Sequence, residues 1–102
     1  MTIDREAAIL LAKAELTKLV PTGGYGIDEV GVQELPWGWV VPWNSLAFLA
    51  TRDVKDTSYG HGPFLVERST GAVEVTGGGH PPDWYIRRFE RRRGYRAWWR
   101  WW

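Results

Sequence analysis

The sequence predicts an α+β domain in which an N-terminal helix packs on an antiparallel sheet of about four strands, with a short C-terminal helix. Three observations predict it. Ile3, Ala7, Leu10, Leu11 and Ala14 recur at helical spacing ahead of the stop Pro21-Thr22-Gly23-Gly24. Two strand-length apolar segments, 64–67 and 72–76, flank the turn Arg68-Ser69-Thr70-Gly71, whose glycine suits a positive φ. Trp37, Trp39, Val41 and Trp43 alternate with Gly38, Val40 and Pro42 at the period of a strand.

Taken in order, Thr2 is placed to cap a helix over about 3–19, with Asp4 and Glu6 at the positive end of its dipole. Its alanines favour close packing on a sheet, and Ile9 and Leu16 widen the apolar side. Val30 and Val32, two residues apart among acids, fit a strand over 27–35 exposed on one side, and Pro36 marks a tight connection. The following strand carries the aromatic row into the core between helix and sheet, where a buried indole N–H needs a partner. Pro42 cannot donate to a ladder and marks a sheet edge or a strand end. Leu46, Phe48 and Leu49 are apolar enough to bury, and 51–58 reads as a polar connection. Beyond the hairpin, Gly77-Gly78-Gly79-His80-Pro81-Pro82 breaks structure, and Asp83 is placed to cap a helix carrying Trp84, Tyr85, Ile86 and Phe89. Gly94 ends it, so 1–93 reads as a single domain and 94–102 as an Arg/Trp-rich tail.

The composition removes several chemistries. Without cysteine there is no disulfide, thiolate metal site or thiol nucleophile. Charges from Asp4 onward interrupt any signal-like apolar run, and no stretch is long enough for a transmembrane segment, so a cytoplasmic protein is expected. Net charge is only +1 but unevenly spread, with the arginines concentrated toward the C-terminus. Only His61 and His80 could shuttle protons near neutral pH, and both sit in glycine-rich loops without a serine nucleophile motif or spaced carboxylate pair. No catalytic residue, metal ligand or cofactor site is assigned: a set drawn from His61, His80 and Asp53 or Asp56 matches no ligand spacing, and neither glycine run has the helix and lysine of a phosphate loop.

Two charged features could meet a partner. Asp28, Glu29 and Glu34, if clustered on one sheet face, could steer a basic partner such as a nuclease; Asp53, Lys55 and Asp56 read as a solvated loop. In the tail, Arg96, Trp98, Trp99, Arg100, Trp101 and Trp102 are candidate partner-binding residues. Interleaved arginine and tryptophan suit single-stranded nucleic acid, a membrane surface or a protein interface, or self-association and folding back on the domain.

The order of the segments Trp37-Gly38-Trp39-Val40-Val41-Pro42-Trp43-Asn44, Gly60-His61-Gly62-Pro63-Phe64-Leu65-Val66-Glu67-Arg68, Thr70-Gly71 and Pro82-Asp83-Trp84-Tyr85-Ile86 with Phe89-Glu90 resembles the YrhB-like domain family, also described as immunity protein 35 of bacterial polymorphic toxin systems. The resemblance covers residues 1 to about 90 and implies an α+β domain without catalytic activity that binds and neutralises a cognate protein toxin. In this reading Trp37, Trp39, Trp43, Gly60, Pro63 and Gly71 are scaffold residues. His61 stands where similar sequences commonly have asparagine, and the tail lies outside the shared pattern. The alternative function is a nucleic-acid-binding or membrane-surface module acting through that tail.

Overall fold

The structure is a computed structural model that describes residues 2–95. The elements in chain order are α1 (Arg5–Leu19), β1 (Tyr25–Ile27), a 3-10 turn at Glu29–Gly31, β2 (Gln33–Leu35), β3 (Gly38–Val41), β4 (Trp43–Ser45) and α2 (Leu46–Thr51). A second 3-10 turn at Val54–Asp56, β5 (His61–Glu67), β6 (Val73–Gly77) and α3 (Pro82–Arg93) complete the described chain. The strands form an antiparallel sheet ordered β2-β3-β5-β6 and a separate β1-β4 ribbon. This is the expected α+β architecture, with a small ribbon added beside the four-stranded sheet.

The helix predicted at the N-terminus forms, but its cap and buried face differ from expectation. Asp4, not Thr2, is the N-cap; its carboxylate accepts from the Ala7 N–H at 2.8 Å. An acid there satisfies an orphan donor and also suits the helix dipole. The face toward the sheet is Ala8, Ile9, Ala12 and Leu16, while Leu10 and Leu11 are 63% and 37% exposed. Ala8 and Ala12 lie fully buried against the sheet, where small side chains let the helix come close; Leu10 and Leu11 are turned to the flanks.

The strand expected over 27–35 is interrupted. Asp28 caps the 3-10 turn by accepting from the Gly31 N–H at 3.3 Å, and the turn carries Val30 out to 88% exposure. Arg52 fixes the break with two hydrogen bonds to Asp28, at 2.8 and 3.0 Å. The two halves therefore join different sheets. Pro42 ends β3, as its missing donor requires, and β4 then leaves the main sheet to pair with β1.

Trp37 also departs from the expected row. Leu35 pairs with Gly38, leaving Pro36-Trp37 as a two-residue turn, and Gly38 takes φ 158° with its α-carbon so close to β5 that an added Cβ would lie 2.0 Å from the Val66 carbonyl oxygen. That glycine breaks the alternation between the two tryptophans. Trp39, Val41 and Trp43 pack with α1, Phe64 and Val66, whereas Trp37 joins Leu35, Val40 and Leu65 against Ile86 and Phe89 of α3. The sheet thus lies between two helices, and β3 is buried along its full length.

The remaining expectations divide. The β5–β6 hairpin forms around Gly71 at φ 76°, with β5 beginning earlier than predicted, at His61. Ser45 caps α2 through the Phe48 N–H, yet Leu46 stays exposed and Phe48 and Leu49 are only half-buried, because this short helix covers the small ribbon rather than the main sheet. Pro81 occupies the N-cap of α3 without a side-chain bond; Asp83 instead pairs with Arg87 at 2.8 Å. Gly94 terminates α3 at φ 77°. Tail residues Arg96, Trp98, Trp99, Arg100, Trp101 and Trp102 lie outside the described residues.

Three core indoles are held differently. Trp37 Nε1 donates to Glu90 Oε2 and Trp43 Nε1 to the Gly62 carbonyl, both at 2.8 Å, but Trp39 Nε1 is buried with no hydrogen-bond partner among the described residues. Its ring instead carries the Arg68 guanidinium, 4.3 Å from the centroid. Trp39→Ala is expected to cost about 3–5 kcal/mol in denaturant unfolding, as a fully buried aromatic. Trp39→Phe removes an unpaired donor whereas Trp37→Phe and Trp43→Phe strip a bond from a buried acceptor, so the first should be the least destabilising of the three. A larger loss for Trp39→Phe than for either partner would contradict this assignment.

Candidate partner-binding surface

Two glycine-rich segments meet at one end of the main sheet. A Cβ on Gly78 would lie 2.6 Å from the Gly60 carbonyl carbon, and one on Gly62 would lie 2.4 Å from the Gly77 carbonyl oxygen. Only glycine lets these backbones approach so closely. The β5–β6 register slips between His61 and Phe64, and Thr76 donates to the Pro63 carbonyl at 2.6 Å across the irregularity. Gly60 at φ 89° and buried Pro63 are thus parts of one closure, and Gly71 serves the turn at the other end of the hairpin. The result is a cleft of about 310 Å³ bordered by Trp43, Tyr59, His61, Gly78 and His80.

His61 lies flat on Trp43, with ring centroids 3.7 Å apart and planes inclined by 19°. Burial pushes its pKa below the ordinary imidazole value, against the opposing effect of the Gly62 and Ser58 backbone. His80 stacks on Trp84 at 3.8 Å and 9°, and the Arg88 guanidinium sits 5.5 Å from the Trp84 ring centroid. His80, in the loop just before α3, stacks on Trp84, and Arg88 follows Trp84 by four residues on the helix, so the three form one ladder that starts in the loop and runs along the outer face of α3. Trp84 remains 38% exposed and belongs to neither core, while Tyr59 on the cleft rim is 76% exposed. The structure therefore brings both histidines to one cleft but gives neither a nucleophile or metal set: among the described residues no three His, Asp or Glu side chains converge. Asp53 and Asp56 serve their local turn, accepting from the Lys55 N–H and the Thr51 hydroxyl.

The charges sort in an unexpected way. Asp28, Glu29 and Glu34 are paired within the chain by Arg52, Lys13 and Arg68, at 2.8, 3.3 and 2.8 Å. On α3, Arg87, Arg92 and Arg93 pair with Asp83, Glu74 and Glu67. Arg88 and Arg91 have no carboxylate partner among the described residues.

The inner face of α3 contains a polar line that the sequence did not reveal. Buried Glu67 accepts from the Tyr95 hydroxyl, from Thr70 at 2.7 Å and from Arg93 at 3.0 Å. Burial raises its pKa, but Tyr95, Thr70 and Arg93 outweigh that effect and leave it below the usual carboxylate value. Tyr95 also lies beside Trp37 and Phe89, so the packed structure continues past Gly94. Trp84 was the more findable miss: Ile86 and Phe89, three apart, define the inward face, and Trp84 sits on the other side of the helix.

The fold and this surface define a small α+β domain with an aromatic, arginine-edged face beside a glycine-lined cleft. The chain belongs to the immunity protein 35 family, whose model matches residues 6–86, from the first turn of α1 into α3. No curated protein and no solved structure matches it. Membership places the chain among immunity proteins.

Two pH windows are expected in urea unfolding. His61 has a depressed folded pKa, so its contribution is present above the ordinary imidazole value and declines as pH falls through that value toward the folded one. Glu67 acts likewise in the carboxylate range, its contribution disappearing as pH falls through the lowered folded pKa. His61→Asn should flatten only the first window and Glu67→Gln only the second, measured as the slope of unfolding free energy against pH.

Proposed function

We propose that the protein is a non-catalytic immunity protein of a bacterial polymorphic toxin system, acting in the cytoplasm by stoichiometric contact with a cognate protein toxin. The observation that carries this reading is the family match over 6–86, which spans nearly all the described fold. The surface is consistent with it. Tyr59, Trp84 and Arg88 are of the residue types that dominate protein interfaces, and an immunity complex needs roughly 800 Å² of contact per partner. In this reading the chain is a single folded domain that includes the core-packed Tyr95, followed by an appended Arg/Trp-rich tail that adds contacts or self-association.

Co-expression with the toxin encoded beside the gene tests the proposal. The expected outcome is restored growth with the active toxin, and co-purification of a one-to-one complex with the catalytically inactivated toxin. Growth that is not restored, with no complex recovered, sinks it. The nucleic-acid alternative predicts single-stranded DNA or RNA binding that weakens steeply with salt and is lost on deletion of 96–102, which spares the core-packed Tyr95.

A further inference from the structure

We infer that the ladder of His80, in the loop before α3, with Trp84 and Arg88 on the outer face of that helix, continued by Arg91 and bordered by Tyr59 across the cleft, is the surface that docks an acidic segment of the toxin. This rests on the function proposed above and specifies where and with what chemistry the contact is made.

The first argument is order without a folding role. An exposed tryptophan on a short helix would ordinarily sample several rotamers, but Trp84 is stacked on His80 at 3.8 Å, carries Arg88 at 5.5 Å and meets Tyr85 edge-on at 4.9 Å. It is absent from both hydrophobic clusters, so the stacking serves no core. A side chain already fixed in the free protein loses little entropy on binding, which is what a central interface residue requires.

The second argument is charge. Most cations of the described chain are paired within it: Lys13, Arg52 and Arg68 with Glu29, Asp28 and Glu34, and Arg87, Arg92 and Arg93 with Asp83, Glu74 and Glu67, while Arg5 bonds the Glu29 carbonyl. Arg88 and Arg91, three residues apart on α3, have no carboxylate partner among the described residues, and Arg88 lies over the Trp84 ring. A partner carboxylate seated between them gains two charge-assisted bonds beside the Trp84 ring. The occupant is therefore acidic.

The third argument separates a protein from a nucleic acid. His80 is stacked on Trp84 and Arg88 lies over its ring, so a base stacking there competes with groups already in place, whereas a protein side chain can use the exposed part of the indole and still reach the guanidinium. The adjoining cleft, about 310 Å³ and lined by the two glycine segments, is open to a loop inserted beside the ladder.

The test uses the full-length protein and the purified, catalytically inactivated toxin domain encoded beside its gene, with binding measured by calorimetry. Trp84→Ala and Arg88→Glu are each expected to weaken binding by about 30-fold or more, with thermal midpoints close to that of the parent. Leu10→Ala, on the exposed side of α1, should leave affinity within about twofold. Parent binding should weaken as salt rises from about 0.05 to 0.5 M, as expected of exposed charge pairs. If Trp84→Ala unfolds, Arg88→Glu alone decides, because Arg88 is fully on the surface. Parent-like affinity in both variants overturns the docking surface while leaving the proposed function intact; salt-independent binding overturns the acidic occupant. A parent protein that does not bind the toxin overturns both readings, and single-stranded DNA competing for the ladder would reassign it to nucleic acid.

Discussion

The structure depends on a central strand pair that is apolar on both faces. β3 and β5 pair antiparallel from Gly38↔Glu67 to Val41↔Phe64, and each strand is buried on alternate residues by α1 on one side and α3 on the other. Such a pair cannot show the polar alternation of a half-exposed strand; both parities must be filled, which is why Val40 and Leu65 are as buried as Val41 and Phe64. A single amphipathic helix covers only one face. The second helix is therefore a structural necessity, and α3 must present Ile86 and Phe89 inward, which in turn puts Trp84 outward.

Closing both faces forces backbone contacts that only glycine permits. Gly38 sits against the Val66 carbonyl where the β2–β3 turn enters the sheet, and Gly78 sits against Gly60 where β5 begins and β6 ends. The two ends are then joined by polar anchors rather than by apolar mass alone. Trp37 reaches Glu90, Glu67 reaches Arg93 and Tyr95, and Trp43 reaches the Gly62 carbonyl. Each anchor crosses between elements far apart in sequence, so each fixes register as well as satisfying a buried group.

The local elements were legible because their signals are local. The helix stop at Pro21, the hairpin turn at Gly71 and the helix end at Gly94 all follow from backbone restrictions of single residues. Which face of α1 is buried was not legible, since Leu10 and Leu11 are more apolar than Ala8 and Ala12, and only the distance of closest approach to the sheet favours the alanines. The split at 28–31 was hidden for a similar reason: it is imposed by Asp28 bonding to Arg52, a contact across 24 residues. Of the surface, the histidines and the glycine loops were visible in the sequence, but their convergence depends on the β5–β6 pairing, and the outward ladder could be found only after the inward face of α3 was known.

The abundance of tryptophan then separates into different physical roles among the described residues. Trp37, Trp39 and Trp43 fill volume that the two-faced sheet requires, and two of them convert their N–H groups into long-range anchors. Trp84 does neither. Its neighbours are an imidazole and a guanidinium, groups that gain from the face of an indole, and it stays partly exposed outside both cores. Because α3 commits one face to Ile86, Phe89 and Glu90 and pairs Arg87 and Arg92 with Asp83 and Glu74, the part of the helix left open to a partner is the one that carries Trp84, Arg88 and Arg91, with His80 stacked at its start.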